Sequence, residues 1–399
     1  MKKTLLLVAA LLFPTLLSAQ TEVVVWHAYR GGEKTAFEKV VANYNASQKN
    51  VKVSALAVPY DAFADKITAA VPRGKGPDVF IYAQDRLGGW VAAGNTIEPI
   101  DFYLDKKLTD RYIPSTMQAM TYRKTVYGLP LNYKVITMVY NKALVKTPPK
   151  TTGELVKVAK SLTKAGSGQF GLAYWYPNVY YHAMLFNGFG GGVFNAAGKP
   201  IVNNAANVKA TDLMMKWMST DKIVPLEPST ALVTSLFNEG KAAIVFSGPW
   251  FLEEVSPKIQ WALAPLPTID EAGGKPMRPW ISVEGVYIAA PSKKKDAAFE
   301  FAKYLTDTPA AKIMALEGSQ QPANRAVYND PQVAANPVLK AFRTQLDTGV
   351  PMPNVPEMTM MWSPVTTAMN AIVKKSSTPA AAFNAAQKEV EANIAKLKK

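Results

Sequence analysis

Just past the apolar run DVFIYA, Asp85 and Arg86 stand side by side, and two glycines follow after Leu87. An ionised aspartate accepts hydrogen bonds through two oxygens, and an arginine donates several in a fixed fork. Together they could grip the vicinal hydroxyls of a neutral ligand. The pair taken alone reads better as an N-cap aspartate on the next helix beside a solvated arginine. The aromatic residues shift that balance. Tyr174, Trp175, Tyr176, Tyr180 and Tyr181 crowd into YWYPNVYY, Trp250 closes a GPW turn, and Trp362 follows MPNVPEMTMM. Each ring offers a flat apolar face and most carry a polar tip, the combination a sugar needs for its C–H faces and hydroxyl rim. Core packing accounts for any one of these rings considered singly.

Signatures of covalent or metal chemistry are sparse. His27 and His182 are the only histidines, so neither an HExxH pair nor a histidine-rich metal site exists. The chain has no cysteine, which excludes a thiol nucleophile, and no GxSxG elbow. GFGGG at Gly188 to Gly192 lacks the Lys and Ser/Thr of a phosphate loop, and Val193 stands where a dinucleotide loop needs its third glycine. It reads as a flexible turn. With 30 Asp and Glu residues, the paired carboxylates of a glycoside hydrolase stay open as an alternative. No cofactor or metal is expected.

The elements that must position these residues alternate strand and helix. TEVVVWHAY, VKVSALAV and DVFIYA read as strands; EKTAFEKVVANYN and DAFADKITAAV, between them, read as helices, the first with Phe37, Val40, Val41 and Tyr44 on one face. The alternation predicts a mostly parallel sheet with helices on both faces. It resumes later with the helix VKATDLMMKWMST, a helix ending at Gly240, the strand KAAIVF, the strand VEGVYIAA and the helix KDAAFEFAKYLT. A last helix carries Phe383, Ala386, Val390, Ile394 and Leu397 in a stripe. Ligands of such open sheets lie at the carboxyl ends of the strands, so two opposed domains would share one site in a cleft.

Length and composition fit this picture. Lys2 and Lys3, the apolar TLLLVAALLFPTLL and the short SAQT read as a secretory signal peptide over residues 1–19, cut after Ala19. About 380 residues follow, more than one core usually supports, so two domains are expected. Export without cysteine suits large domains that need no disulfide, and it leaves no thiol for a lipid anchor. The net charge of +15 is spread along the chain as scattered lysines. Dense arginine-aromatic clusters are missing, which argues for a solvated basic surface and against nucleic acid.

With these residues in view, the chain resembles the maltose-binding proteins, the periplasmic substrate-capturing subunits of ABC sugar importers. GPDVFIYAQDRLGGW at 76–90, YGLPLNYKVITMVYNKALV, FNEGKAAIVFSGPW, APLPT, RPWISVEGVYIAAPS and VPMPNVPEMTMMW carry the resemblance, in order and spacing. It implies an α/β, two-lobed periplasmic binding protein fold of type II, with discontinuous lobes, a hinge and a ligand cleft between. The implied N-terminal lobe is 20–132 with 286–331, and the C-terminal lobe is 137–280 with 338–399. Segments 133–136, 281–285 and 332–337 would form the hinge.

The resemblance also implies roles. Tyr82 matches an aromatic lining the sugar, Asp85 and Arg86 a hydroxyl-binding pair, and Tyr180, Trp250 and Trp362 the stacking rings of the second lobe. Departures are plain. Arg30 and Gly31 stand where an Asp-Lys pair is common, Lys134 replaces a ligand-binding Glu, Thr366 replaces an Arg, and Glu284 sits at a usually apolar position. Asn178 or a neighbour takes the place of another Glu. A cleft altered toward basic or neutral groups could take an acidic substituent. The implied function is capture of maltose or maltodextrin-type α-glucosides and their delivery to inner-membrane ABC permease subunits, by a monomer without enzyme activity. A chemoreceptor is a further implied partner. Trehalose or another disaccharide is the alternative within the binding class, and a secreted glycoside hydrolase the alternative outside it.

Overall fold

The structure is a computed structural model that describes residues 20–397; the expected signal segment lies outside the described residues. Ten strands build its two main sheets: β1 Thr21–His27, β2 Val51–Ala57, β3 Val79–Ala83, β4 Gly128–Lys134, β5 Thr137–Asn141, β6 Phe170–Ala173, β7 Ala242–Ser247, β8 Trp261–Ala264, β9 Trp280–Ile288 and β10 Val350–Pro351. The first sheet runs β10-β9-β3-β1-β2, with β4 also paired to β9, and the second runs β8-β5-β7-β6. Only Val135 and Ile136 separate β4 from β5, so the chain passes from one sheet to the other within two residues.

The expectation of a mostly parallel sheet holds for β1 to β3 and for the β9–β10 pair, and it fails where β9 meets β3 and β4 and in the second sheet. β1 is parallel to β2 and to β3, but β9 is antiparallel to both β3 and β4. In the second sheet β6 and β7 are parallel, whereas β5 is antiparallel to β7 and to β8. Consecutive strand-helix-strand crossovers force parallel neighbours, and β1 to β3 obey that rule. β9, which arrives from the other sheet, and β4, which leaves for it, have no such crossover between them to set their direction.

Both faces of the first sheet are buried, as the period-two alternation of its strands requires. Val79 and Ile81 pack with Val23, Val25, Phe37 and Val40 on one side. Phe80 and Tyr82 pack with Trp26, Phe63, Trp90 and Tyr287 on the other. The second sheet lies in a core that includes Tyr174, Phe186, Met214, Trp217, Phe246 and Phe383.

Side-chain caps fix several helix starts. Thr151 caps Thr152–Leu162, Asn204 caps Ala205–Ser219 and Ser229 caps Thr230–Asn238 through backbone N–H groups. GFGGG is no flexible turn. Asn207 accepts from the Gly192 N–H at 3.0 Å and donates to its carbonyl at 2.8 Å, and a Cβ on Gly191 would lie 2.1 Å from the Asn207 oxygen. Gly188 and Gly191 serve close packing, and Gly190, at φ +87° with open space beside it, makes the turn. Gly171 on β6 is tighter in backbone terms, because a Cβ there would meet the Ala159 Cα and carbonyl oxygen at 2.2 Å. Gly171→Ala is therefore expected to lower stability by about 1–3 kcal/mol, seen as a lower denaturant midpoint with unchanged slope.

Candidate functional site

The first residues past the strand ends face a cavity of about 420 Å3 lying between elements of the two sheets. β1 runs out at His27 and delivers Tyr29, Arg30 and Glu33; β2 delivers Tyr60; β3 delivers Tyr82 and Asp85. The adjoining strands β4 and β9 supply Lys134, Ser282 and Glu284. The second sheet's side contributes Tyr180, Trp250 and Trp362, and Met352 also lines the cavity.

Of the residues singled out in the sequence, Arg30, Tyr82, Asp85, Lys134, Tyr180, Trp250, Glu284 and Trp362 come together on this lining; Arg86 does not. Arg86 stands beside Asp85, its Nε buried and 3.6 Å from the carboxylate. Asn178 is also off the lining, because its side chain caps Val179–Gly188 by accepting from the Tyr180 N–H at 2.9 Å. It thereby sets the helix that carries Tyr180. Thr366 lies outside the lining as well.

The N-cap assignment for Asp85 fails. Gln84–Arg86 forms a short 3-10 turn and Leu87–Ala93 the next helix, and neither receives a side-chain cap. With 13% of its side chain exposed, Asp85 pays for desolvation, which pushes its pKa up to about 6 against the pull of Arg86. Its carboxylate lies on the cavity lining, beside Arg86.

The rings form two walls. Tyr82 stacks on Phe63 at 5.2 Å and on Tyr60 at 5.5 Å. Opposite them, Tyr180 lies 6.0 Å from Trp250 and 6.2 Å from Trp280, and Trp280 lies 5.8 Å from Trp362. The Trp250 indole N–H donates to the Tyr181 hydroxyl at 3.1 Å. Each ring is thus held by a neighbour in an orientation that leaves part of it on the cavity.

Lys134 and Glu284, read in the sequence as separate departures, are partners at 3.0 Å, and Glu33 lies 3.9 Å from the same ammonium. Tyr29 donates to Glu284 at 3.0 Å and receives a bond from Asn132 at 3.1 Å; Gln320 donates to Glu33. Burial works against the Glu284 charge, but Lys134 and these hydrogen bonds hold its pKa below the ordinary value. Burial opposes the Lys134 charge too, and Glu284 and Glu33 reverse it and raise its pKa. Burial, aided by Glu284, pushes Glu33 up against the pull of Lys134. The gained cation at Lys134 is therefore compensated by two carboxylates, so it is not itself a free charge for an acidic substituent. Arg30 is exposed and has no ion-pair partner among the described residues.

Glu284→Gln should cost about 1–3 kcal/mol at neutral pH, because it leaves the Lys134 ammonium with the more distant Glu33 alone. Glu284 has a folded pKa below its unfolded value of 4.5, so its contribution exists above that value and disappears as pH falls through the folded pKa. Urea unfolding should show the gap between wild type and variant narrowing in acid.

Tyr29, Glu33, Tyr60, Ser282 and Met352 were not anticipated. Tyr29, Glu33 and Tyr60 follow strand ends as Asp85 does, a signal that could have found them. Ser282 and Met352 carry no local signal. Burial lowers the pKa of His27 to about 4 and that of His182 to about 3, so both are neutral packing residues. Among the described residues no group of three or more His, Cys, Asp or Glu is placed to hold a metal ion.

Residues 30–312 match the profile of the bacterial extracellular solute-binding proteins. The chain is 31% identical to the maltotriose-binding protein of Pyrococcus abyssi, over 88% of this chain and 78% of that protein. It is 28% identical to the galactooligosaccharide-binding protein of Bacillus subtilis, over 94% of this chain and 90% of that one. Among solved structures, a cyclo/maltodextrin-binding protein complexed with maltotetraose superposes with a TM-score of 0.86, at 30% identity, covering 94% of this chain and 97% of that one.

Proposed function

Since this chain belongs to the bacterial extracellular solute-binding proteins, we propose that it captures maltose or maltodextrin-type α-glucosides in the periplasm and hands them to the membrane subunits of an ABC importer. The observation that carries the reading is the pairing, on one cavity, of aromatic faces from opposite sides with the largely buried carboxylate of Asp85. Sugar rings would stack on Tyr180, Trp250 and Trp362, and their hydroxyls would donate to Asp85. The family's two-lobed architecture supplies the rest. Lobes at 20–132 with 286–331 and at 137–280 with 338–399 would close about 133–136, 281–285 and 332–337, and the closed population is what a transporter can recognise.

The protein acts as a monomeric binder, with no bond broken in the ligand. Among the described residues no helix is long and apolar enough to cross a membrane.

Calorimetric titration with maltotriose, maltose, trehalose, a galactooligosaccharide and a glucuronide tests the reading. Saturation by maltotriose at one site, with the sugar recovered intact by chromatography, is expected. Tighter binding of the galactooligosaccharide would move the substrate to the class of the Bacillus subtilis relative, and shorter products would make the protein a hydrolase.

A further inference from the structure

Gln84, between β3 and Asp85, touches no part of the cavity, yet its side chain is fully buried and fully engaged. Its Nε2 donates to the carbonyls of Ile281 at 3.0 Å and Met352 at 3.3 Å, and its Oε1 accepts from the Val283 N–H at 2.7 Å. The β3–β9 ladder stops at Ala83 opposite Glu284. Beyond it, Val283 and Ile281 have no β3 backbone to meet. The Gln84 amide continues the ladder in its place, offering one carbonyl and one NH2 as a peptide group would. It also binds the segment after β10, whose Met352 N–H donates to the Ile281 carbonyl at 3.0 Å.

A second anchor lies on the far side of the aspartate. The Gly88 N–H donates to the Asn354 carbonyl at 2.8 Å, and a Cβ on Gly88 would lie 2.3 Å from that oxygen. Asn354 in turn donates to the carbonyls of Ala119 at 3.0 Å and Thr121 at 2.9 Å. Asp85 and Arg86 are thus suspended between Gln84 and Gly88. Both anchors grip β9 or the 350–356 segment, the stretch that runs on to Trp362.

We infer that Gln84 is a positioning residue: its amide ties the Asp85 turn to the strands leading into the other lobe, and so sets how well Asp85 meets the ligand. The inference rests on the sugar-binding reading above. Loss of the amide frees the turn without removing any group on the cavity lining; since its partners include or adjoin Met352, Ser282 and Glu284 on that lining, the Asp85 background separates an effect through Asp85 from one through them.

A double-mutant cycle reads this directly. Maltotriose affinity is measured for wild type, Gln84→Met, Asp85→Asn and the double variant, with Trp362→Ala as a second background, and melting temperature is recorded for each. Gln84→Met should weaken binding about tenfold in wild type and in Trp362→Ala, but less than about twofold once Asp85 is Asn. Gln84→Glu keeps the acceptor for the Val283 N–H and should fall between; it carries the test if the Met variant does not fold. An unchanged affinity, or the same loss in the Asp85→Asn background, would overturn the positioning role and leave Gln84 a purely structural clip. Wild type that binds no sugar overturns the function itself, a failure distinct from that of the cycle.

Discussion

Trp250→Ala and Trp362→Ala each weaken maltodextrin binding by about 1–3 kcal/mol, through lost stacking and lost apolar burial. That is roughly five- to 150-fold in Kd, since 1.4 kcal/mol is a factor of ten. The two effects differ in origin. Trp250 is braced by Tyr181 and Tyr180, so its removal also loosens a neighbouring ring, whereas Trp362 leans on the buried Trp280. A Trp250→Phe variant restores a face without the indole N–H and should recover part of the loss. Calorimetry on folded variants with matched melting temperatures separates ring contact from stability, and full affinity in both alanine variants would remove these rings from the site.

Asp85→Asn produces the second large effect, about 1.5–3 kcal/mol at pH 7.5, as a charged acceptor for sugar hydroxyls becomes a neutral amide. It also changes the pH profile. Burial places the Asp85 pKa near 6, so wild-type affinity should decline as pH falls through that value and the carboxylate takes up a proton. The variant should be flat over the same range. Stability moves the other way. The folded pKa lies above the unfolded value of 3.8, so the ligand-free protein binds the proton more tightly than the unfolded chain and gains stability as pH falls from about 6 to about 4. Ionised Asp85 is thus a cost to the free protein at neutral pH, and Asp85→Asn should melt higher there while binding worse. A variant that binds worse and also melts lower would point to a structural role for the carboxylate.

How much of this was legible beforehand differs by residue. Strand periodicity and turn chemistry placed β1 to β3, and the position of Asp85 past a strand end was readable because it depends on local sequence. The antiparallel insertion of β9 was not, since it depends on where a distant segment returns after crossing between sheets. Lys134 and Glu284 show the same limit in electrostatic form. Read singly, Lys134 suggested a cleft drifting toward positive charge and Glu284 an unrelated gained acid, and only the β4–β9 register, pairing Asn132 with Glu284 and Ser282 with Lys134, makes them partners. Met352 reaches the site, and Trp280 the back of Trp362, by the same crossing geometry. Asn178 looked like a lost ligand group and proved to be a helix cap, a role that YPNVYY could have announced through its Asn ahead of the first helical turn.

A crystal structure of the protein saturated with maltotriose tests the central claim most directly. The sugar should lie between the lobes with its rings against Tyr180, Trp250 and Trp362 and its hydroxyls within hydrogen-bond distance of Asp85. Sugar bound elsewhere, or the same cleft left unchanged at saturating maltotriose, would contradict the assignment.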